Sequence, residues 1–234
     1  MSNSQPRIVV TGASRGLGAG LCSRLAAFGW HVIAACRRPE LPASNGAAET
    51  LALDLLDDAS IAGFARALGD APLDAVVHNA GVATLDGNAD RAEPPLGALR
   101  SDVLAAMFRV NVIAPLLLTQ ALLPALRRGS RRMIVNVSSE LGSLTAGPDV
   151  PGRTVYRSTK AALNMVTRAL AGELAPEGFT CLALHPGWVR TDMGGPDAPL
   201  SVDESVAGMA QVIDHAGPAQ NGCFLDYRGR AVPW

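Results

Sequence analysis

The chain has 234 residues, of which 48% are apolar, and its mean hydropathy is +0.20. A chain of this length and composition has enough apolar surface for a large core, which argues against a disordered protein. The formal net charge of −1 at pH 7 gives no sign of a nucleic-acid partner or of an anionic membrane surface as a partner.

Short β-branched runs alternate with amphipathic segments along the chain. Strands are predicted at 7–11, 31–36, 50–53, 75–78, 133–138, 180–185 and 223–226. Helices are predicted at about 16–28, 59–68, 102–127, 155–175 and 202–214. This alternation is typical of an α/β fold with a doubly wound, mostly parallel, seven-stranded Rossmann-type sheet and helices on both faces. We find no internal repeat or low-complexity linker and expect a single domain over 1–234.

Three loops rich in Gly, Pro and Asp lie at 82–97, 142–153 and 192–201. The last two follow the fifth and sixth predicted strands. Because ligands bind at the carboxyl ends of the strands in a doubly wound sheet, we expect both loops to border a ligand site.

The segment TGASRGLG at 11–18 follows the first strand and opens the first helix. Gly12 allows a sharp turn, Gly16 lets the backbone approach a pyrophosphate, and Gly18 lets the helix pack close to the strand. The helix N-terminus offers free N–H groups and a positive dipole end to phosphates. A tight turn without a ligand is the alternative interpretation.

The residues after the second strand indicate which dinucleotide is preferred. NAD enzymes usually place an acidic residue there for the ribose 2′-hydroxyl, but this chain has Cys36-Arg37-Arg38. A cation suits a 2′-phosphate, and Arg15 in the glycine loop can reach the same region. The pattern favours NADP(H). The alternative is that Arg37 and Arg38 are solvated turn residues.

Two further segments end strands at the same predicted edge. Asp54, with Leu55 after it, follows the third strand, where a carboxylate can accept a hydrogen bond from an adenine amino group. The small residues NAG at 79–81 follow the fourth strand and would let the backbone lie against a cofactor. We assign His78 no chemistry, because a lone histidine at a strand end is more often structural.

Tyr156 and Lys160 lie four residues apart on a predicted helix, so their side chains share one face. Lys160 is the only lysine among 20 basic residues. Since arginine is the ordinary surface cation here, a single lysine indicates a role for a compact ammonium on a flexible stem. That charge, together with the positive nicotinamide of an oxidised cofactor, favours the Tyr156 phenolate. Lowering the pKa of the phenol by about 2 to 3 for proton exchange with a carbonyl oxygen would take roughly 3–4 kcal/mol. Lys160 can also hydrogen-bond the nicotinamide ribose.

Polar residues near the fifth strand and in the long central helix complete the predicted chemical site. Ser138 and Ser139 end the strand, where a hydroxyl can hold the substrate oxygen; serines bonded to local backbone are the alternative. Asn111 interrupts the apolar helix at 102–127. We expect it to bend that helix and to anchor a water that relays protons to Lys160, with a satisfied buried amide as the alternative.

The sixth strand ends at Pro186 and Gly187, which turn the chain over the predicted cleft. Thr191 can hydrogen-bond the nicotinamide carboxamide. Ser201 and Glu204 form a capping box that begins the last helix. Only about ten residues remain for a lid, which indicates an accessible site and broad or bulky substrates.

These motifs resemble the short-chain dehydrogenase/reductase family over essentially the whole chain. TGASRGLG matches the family's glycine motif, and HNAG departs from the NNAG of many members only at His78. The resemblance implies a catalytic tetrad of Asn111, Ser139, Tyr156 and Lys160. Ser143 is the alternative serine, because the interval between Ser139 and Tyr156 is a few residues longer than in many members.

Finer features at 156–165, 185–195 and 224–234 are similar to those of C-factor and Sniffer-type carbonyl reductases. That subgroup implies NADPH-dependent reduction of ketones, aldehydes or quinones, hence a small-molecule carbonyl or alcohol substrate. Family members commonly associate through helix faces, so we expect a homodimer. The predicted cofactor-binding residues are Gly12, Ser14, Arg15, Gly16, Leu17, Gly18, Arg37, Asp54, Leu55, Asn79, Ala80, Gly81, Tyr156, Lys160, Pro186, Gly187, Val189 and Thr191.

Cysteine usage and hydropathy bear on the cellular compartment. The four cysteines, at 22, 36, 181 and 223, form no CxxC pair, so we expect buried free thiols, no metal site and a cytoplasmic protein. The N-terminal segment has no long apolar run typical of a secretory signal. The most apolar stretch, at 110–126, is predicted to be too short and too polar to cross a bilayer.

Two other function classes fit parts of the pattern. A signalling or sensor protein that binds the dinucleotide without useful turnover is the second hypothesis, although a pure binder has no need of Tyr156. A methyltransferase with a similar glycine loop ranks last, because the Tyr–Lys pair has no role there.

Overall fold

The structure is a computed structural model, and it describes residues 5–39, 46–84, 93, 96–146 and 152–234. Seven parallel strands form one sheet in the order β3-β2-β1-β4-β5-β6-β7. The strands are β1 Arg7–Thr11, β2 His31–Cys36, β3 Glu49–Ala52, β4 Ala75–His78, β5 Met133–Val137, β6 Thr180–His185 and β7 Phe224–Asp226. The helices are α1 Gly16–Ala27, α2 Asp58–Leu68, α3 Ser101–Phe108, α4 Ala114–Arg128, α5 Thr154–Leu174 and α6 Val202–His215.

Both faces of the sheet are buried, which explains why its strands are apolar throughout. Ile8, Val9 and Val10 of β1 are all fully buried. Ile8 and Val10 join the core beneath α1 and α6, while Val9 joins the opposite core beneath α2, α4 and α5. Successive residues of a strand point to opposite faces, so one short run supplies both cores.

The strand order reverses between β1 and β4: β1 pairs in parallel with β2 on one side and with β4 on the other. The helices that follow β1 and β4 pack on opposite faces of the sheet. Such a reversal leaves a crevice beyond the carboxyl ends of the two strands, where open α/β sheets bind ligands. The predicted α/β class with a doubly wound seven-stranded sheet is confirmed, and every strand is parallel to its neighbours.

The predicted strands and most predicted helices lie within two residues of the observed ones. The long helix predicted at 102–127 differs, because α3 and α4 are joined by a π-helical turn over Arg109–Ile113. Asn111 lies at the centre of this turn, where its amide bonds to backbone outside the helix. π turns commonly distort helices. The bend expected at Asn111 therefore takes the form of a π-helical turn.

The continuous helical run Ser101–Arg128 is long and apolar enough to cross a membrane by length and composition alone. Its sheet-facing residues Leu118, Leu122 and Leu126 are at most 1% exposed, as in a helix that covers a core. Arg109, in the middle of the run, donates to the carbonyl oxygen of Leu55 and pairs with Asp58. Its position therefore fits a helix packed on the sheet.

Candidate active site at the carboxyl edge of the sheet

The glycine loop is held against the end of β4 by close backbone contacts. Gly12 has a φ of +65°, and a Cβ there would lie 2.9 Å from the Cα of Ala80. At Gly18 a Cβ would lie 2.2 Å from the carbonyl oxygen of Gly12. Both positions therefore exclude any side chain. The roles predicted for Gly12 and Gly18 have a direct steric basis.

The N-terminus of α1 has the features of an anion-binding site. Arg15 precedes the helix and gives it no side-chain cap, and its first turn carries no acidic residue. Ser14, Arg15 and Gly16 are exposed, and Gly16 has a φ of +54°. N–H groups that lack a capping side chain, at the positive end of the helix dipole, fit a pyrophosphate.

Asn79 and its neighbours connect β4 to the glycine loop. The Asn79 amide donates to the carbonyl oxygen of Thr11 over 2.9 Å, and the Ala80 N–H donates to the Thr11 hydroxyl over 3.0 Å. A Cβ at Gly81 would lie 3.5 Å from Nζ of Lys160 and 3.4 Å from Oδ1 of Asn111. The segment at 79–81 therefore links the predicted cofactor site to the predicted chemical site.

His78 contacts neither site. Its Nε2 lies 2.8 Å from the Thr119 hydroxyl, which ties β4 to α4. Burial lowers the pKa of the imidazole to about 3, so this histidine is neutral in the folded protein. The contacts agree with the structural role expected for it.

The Ser139 side chain lies beside the Tyr156 phenol and lowers its pKa. The Ser139 hydroxyl also accepts from the N–H of Leu141 over 3.2 Å. Ser143 instead accepts from the N–H groups of Thr145 and Ala146 in its own loop. The geometry therefore favours Ser139 over Ser143 as the partner of Tyr156.

The electrostatics around Tyr156 correct one sequence-based expectation. Burial raises the pKa of the phenol above its ordinary value of 10.0, although the Ser139 side chain and the Arg153 charge both lower it. Lys160 was expected to depress this pKa, but its Nζ lies 5.7 Å from the tyrosine ring centroid and donates to the carbonyl oxygen of Val137 over 2.8 Å. In the protein alone, desolvation of the phenolate outweighs the nearby positive charges.

Lys160 is itself a buried cation, with 4% of its surface exposed. Burial lowers the pKa of its ammonium from 10.5 to about 8. At pH 7 it therefore still carries a charge in most molecules. That charge lies on the same helix face as Tyr156, as the i, i+4 spacing predicted.

The Asn111 side chain makes three hydrogen bonds to protein groups. Its Oδ1 accepts from the N–H of Val82, and its Nδ2 donates to the carbonyl oxygen of Val82 and to the Thr159 hydroxyl. This arrangement matches the alternative of a satisfied buried amide. It also anchors the π turn to α5, and so places α5 against the end of β4.

The residues predicted to bind the adenosine half of the dinucleotide differ in exposure and in their hydrogen-bond partners. Arg37 is exposed and Leu55 is buried. The Asp54 carboxylate accepts from the N–H of Leu56 over 2.9 Å, which shapes the turn after β3. Arg15 forms an ion pair with Asp192, so the glycine loop contacts the loop that follows β6.

The loop after β6 folds back on itself. Gly187 has a φ of +81°, and a Cβ there would lie 2.4 Å from Leu200. Val189, 4% exposed, pairs with Leu200 in a short bridge, and the Thr191 hydroxyl accepts from the N–H of Gly194. The predicted capping box at the start of α6 is present. These contacts place the loop beside the glycine motif.

A cavity of about 420 Å³ lies beyond the ends of β6 and β7, and its lining does not include Asn111, Ser139, Tyr156 or Lys160. Glu140, which directly follows Ser139, lies in its wall together with His185 and Trp188. The Pro186 carbonyl oxygen accepts from the Ser205 hydroxyl over 2.6 Å, which fixes this wall to α6. A cavity of this size suits a small organic molecule.

Sequence reasoning missed two residues around the start of α5. Glu93 accepts hydrogen bonds from the N–H groups of Val155 and Tyr156. Arg153, just before the helix, contributes a positive charge near the Tyr156 phenol. The sequence did hold one signal: an arginine precedes the helix, and arginine is not a usual helix cap, so the helix N-terminus needs an acceptor from elsewhere.

Comparisons with known proteins agree with this geometry. Residues 6–199 match the model of the family described as short chain dehydrogenase. C-signal of Myxococcus xanthus is 45% identical over 174 residues, which cover 73% of this chain and 98% of that protein. The solved structure of the carbonyl reductase Sniffer of D. melanogaster matches with a TM-score of 0.88 and 32% identity, covering 99% of this chain and 100% of that one. An NADPH-bound carbonyl reductase from chicken fatty liver matches with a TM-score of 0.84 and 33% identity, covering 98% and 99%.

Proposed function

The chain belongs to the short-chain dehydrogenase family, and on this basis we propose that it reduces a ketone, aldehyde or quinone to an alcohol with NADPH, with Tyr156 as general acid. The observation that carries the proposal is the buried Tyr156 phenol, with the Ser139 side chain beside it and Lys160 one turn later on the same helix face.

The residues fit a dinucleotide along the carboxyl edge of the sheet. The N-terminus of α1 would hold the pyrophosphate, while the segment at 79–81 and Thr191 would border the nicotinamide half. Arg15 and Arg37 would bind the 2′-phosphate, which supports NADP(H) over NAD(H). Bound NADPH supplies the hydride. The protein supplies the proton and stabilises the negative charge that develops.

For carbonyl reduction, the Tyr156 phenol supplies the proton. A phenol is protonated at neutral pH and can donate to the substrate oxygen. Ser139 would hold that oxygen and stabilise its developing negative charge. The Lys160 ammonium would stabilise the phenolate that remains after transfer.

A panel of carbonyl compounds tests this function directly. Purified protein is mixed with NADPH or NADH and with aliphatic and aromatic aldehydes, diketones and quinones, and cofactor oxidation is followed by absorbance. The proposal expects oxidation of NADPH with several of these compounds and a lower kcat/KM with NADH. Oxidation of neither cofactor with any member of the panel would contradict it.

A second candidate is a signalling protein that binds the dinucleotide with little turnover. The observation in its favour is the 45% identity to a protein named C-signal. Tyr156→Phe separates the two candidates, because it removes the acid and keeps the ring. A cellular effect that persists in this variant supports signalling. If the variant loses both the cellular effect and NADPH oxidation, catalysis is supported.

We also propose that the protein forms a homodimer and is cytoplasmic. The exposed apolar side chains Ile113 and Leu116 on the long helical run, and Met165 on α5, offer helix faces for a homodimer. Within the described part of the chain Cys22, Cys36 and Cys181 are buried and form no disulfide, in keeping with a cytoplasmic protein. A single domain over 1–234 is consistent with one continuous sheet.

A further inference from the structure

The helix that carries Tyr156 begins without help from its own neighbours. Arg153, the residue before it, adopts a left-handed conformation with a φ of 57° and gives no side-chain cap. The first turn carries no acidic residue. The first N–H groups of a helix need acceptors from elsewhere, so α5 depends on a more distant group.

That group is the carboxylate of Glu93. One of its oxygens accepts from the N–H of Val155 over 2.7 Å, and the other accepts from the N–H of Tyr156 over 3.0 Å. Glu93 lies 62 and 63 residues before these two positions, so the contact is tertiary and does not belong to a local capping motif. A charged acceptor at this position also interacts favourably with the positive end of the helix.

The capped residue is the proposed acid itself. The Tyr156 backbone is fixed by Glu93, while its hydroxyl must meet Ser139, which stands on a separate element after β5. Lys160, one turn later, is held independently by the carbonyl oxygen of Val137. Freedom in the first turn of α5 would therefore move Tyr156 relative to both partners.

We propose that Glu93 is a positioning residue for the reaction, which caps α5 at Val155 and Tyr156 and thereby holds the Tyr156 hydroxyl against Ser139. The role in turnover rests on the proposed function, whereas the positional role can be tested without it. Loss of a helix cap typically costs enough stability to open a terminal turn several-fold more often.

The test compares Glu93→Ala and Glu93→Gln with Glu173→Ala, which removes an exposed glutamate at the other end of α5. We expect Glu93→Ala to lower kcat about 10-fold with the KM for NADPH unchanged, because the glycine loop is untouched. Glu93→Gln keeps one acceptor oxygen and should fall between Glu93→Ala and the wild type. Glu173→Ala should match the wild type.

A second readout needs no turnover. The chain has two tyrosines, so in a Tyr227→Phe background the phenol that titrates in ultraviolet absorbance is Tyr156. The groups that face it are Ser139 from the turn after β5, and Lys160, Arg153 and the Glu93-capped backbone at α5. Since burial is the largest cause of its raised pKa, an opened first turn admits water and the titration midpoint should fall toward 10.

These readouts separate the two hypotheses. If the wild type oxidises no NADPH, the function fails but the titration still tests the positioning role of Glu93. An unchanged midpoint in both Glu93 variants overturns that role. A shifted midpoint with an unchanged kcat also overturns it, because the position of Tyr156 would then have no bearing on turnover. If Glu93→Ala does not fold, Glu93→Gln decides both measurements.

Discussion

The phenol of Tyr156, in the first turn of α5, lies beside the side chain of Ser139, two residues beyond the end of β5, and Ser139 lowers its pKa. This contact joins two elements that the sequence separates by 17 positions. It places an acidic group and an oxyanion-binding group side by side at the edge where the sheet binds ligands. The account of the active site depends on this pair.

The two candidate serines give different predictions. Ser139→Ala removes the hydroxyl beside the Tyr156 phenol and should lower kcat about 100-fold, the usual cost of one oxyanion donor. Ser143→Ala removes only contacts to Thr145 and Ala146 within its own loop, so kcat should change less than 5-fold, by about 1 kcal/mol at most. Steady-state kinetics with one carbonyl compound measure both. A larger loss in Ser143→Ala would assign the role to that serine.

The glycine loop allows a test with a matched control. Gly18→Ala places a Cβ 2.2 Å from the carbonyl oxygen of Gly12 and should lower the free energy of unfolding by about 3 kcal/mol. Gly172→Ala, in α5, places a Cβ that meets no described atom within 4 Å apart from its chain neighbours and the backbone of its own helix. It should raise stability by about 0.5–1 kcal/mol through helix propensity. Denaturant unfolding of both variants checks the steric argument, and equal effects would refute it.

Much of this fold was predictable because its strands are continuous apolar runs. A strand buried on both faces, such as β1, can be recognised from its apolar run alone, without knowledge of the strands that it pairs with. The glycine motif and the Tyr156–Lys160 spacing are likewise local patterns. They located the site because the carboxyl ends of parallel strands meet at one edge.

The unpredicted features depend on contacts between distant segments. The π turn at Asn111 forms where the side chain meets Val82. Glu93 meets α5 only in the folded chain, and the Arg15–Asp192 pair crosses from one loop to another. In the protein alone, burial, which the sequence does not reveal, outweighs the neighbouring charges and raises the pKa of Tyr156.

The buried imidazole of His78 predicts a pH dependence of stability. Its pKa is about 3 when folded and 6.5 in the unfolded chain, so the unfolded state binds more protons between these values. Stability is therefore lost as pH falls below 6.5. Between pH 6.5 and pH 5, His78 should lower the free energy of unfolding by about 1.5 kcal/mol.

His78→Asn removes this titration. Urea unfolding at pH 6.5 and 5 should show a smaller loss for the variant than for the wild type, whatever its stability at neutral pH. Parallel losses in the two proteins would mean that His78 is not neutral and buried as described.

Cofactor preference is tested at Arg15. Arg15→Ala removes a cation proposed to contact the 2′-phosphate and should raise the KM for NADPH about 10-fold, the value of one charge-assisted hydrogen bond at an exposed site. The KM for NADH should change less, because NADH lacks that phosphate. Arg24→Ala, at the exposed far end of α1, is the control. An equal rise for NADPH and NADH would assign Arg15 to the shared part of the dinucleotide.

In the proposed reaction, the Tyr156 phenol delivers the proton to the substrate oxygen. Tyr156→Phe keeps the buried ring and removes only the hydroxyl, so the binding of NADPH, followed by its fluorescence, should be unchanged within about 2-fold. The rate of carbonyl reduction should fall by about 100-fold or more, as general acid catalysis is lost. A variant that binds NADPH normally and reduces the carbonyl at the wild-type rate would contradict the account.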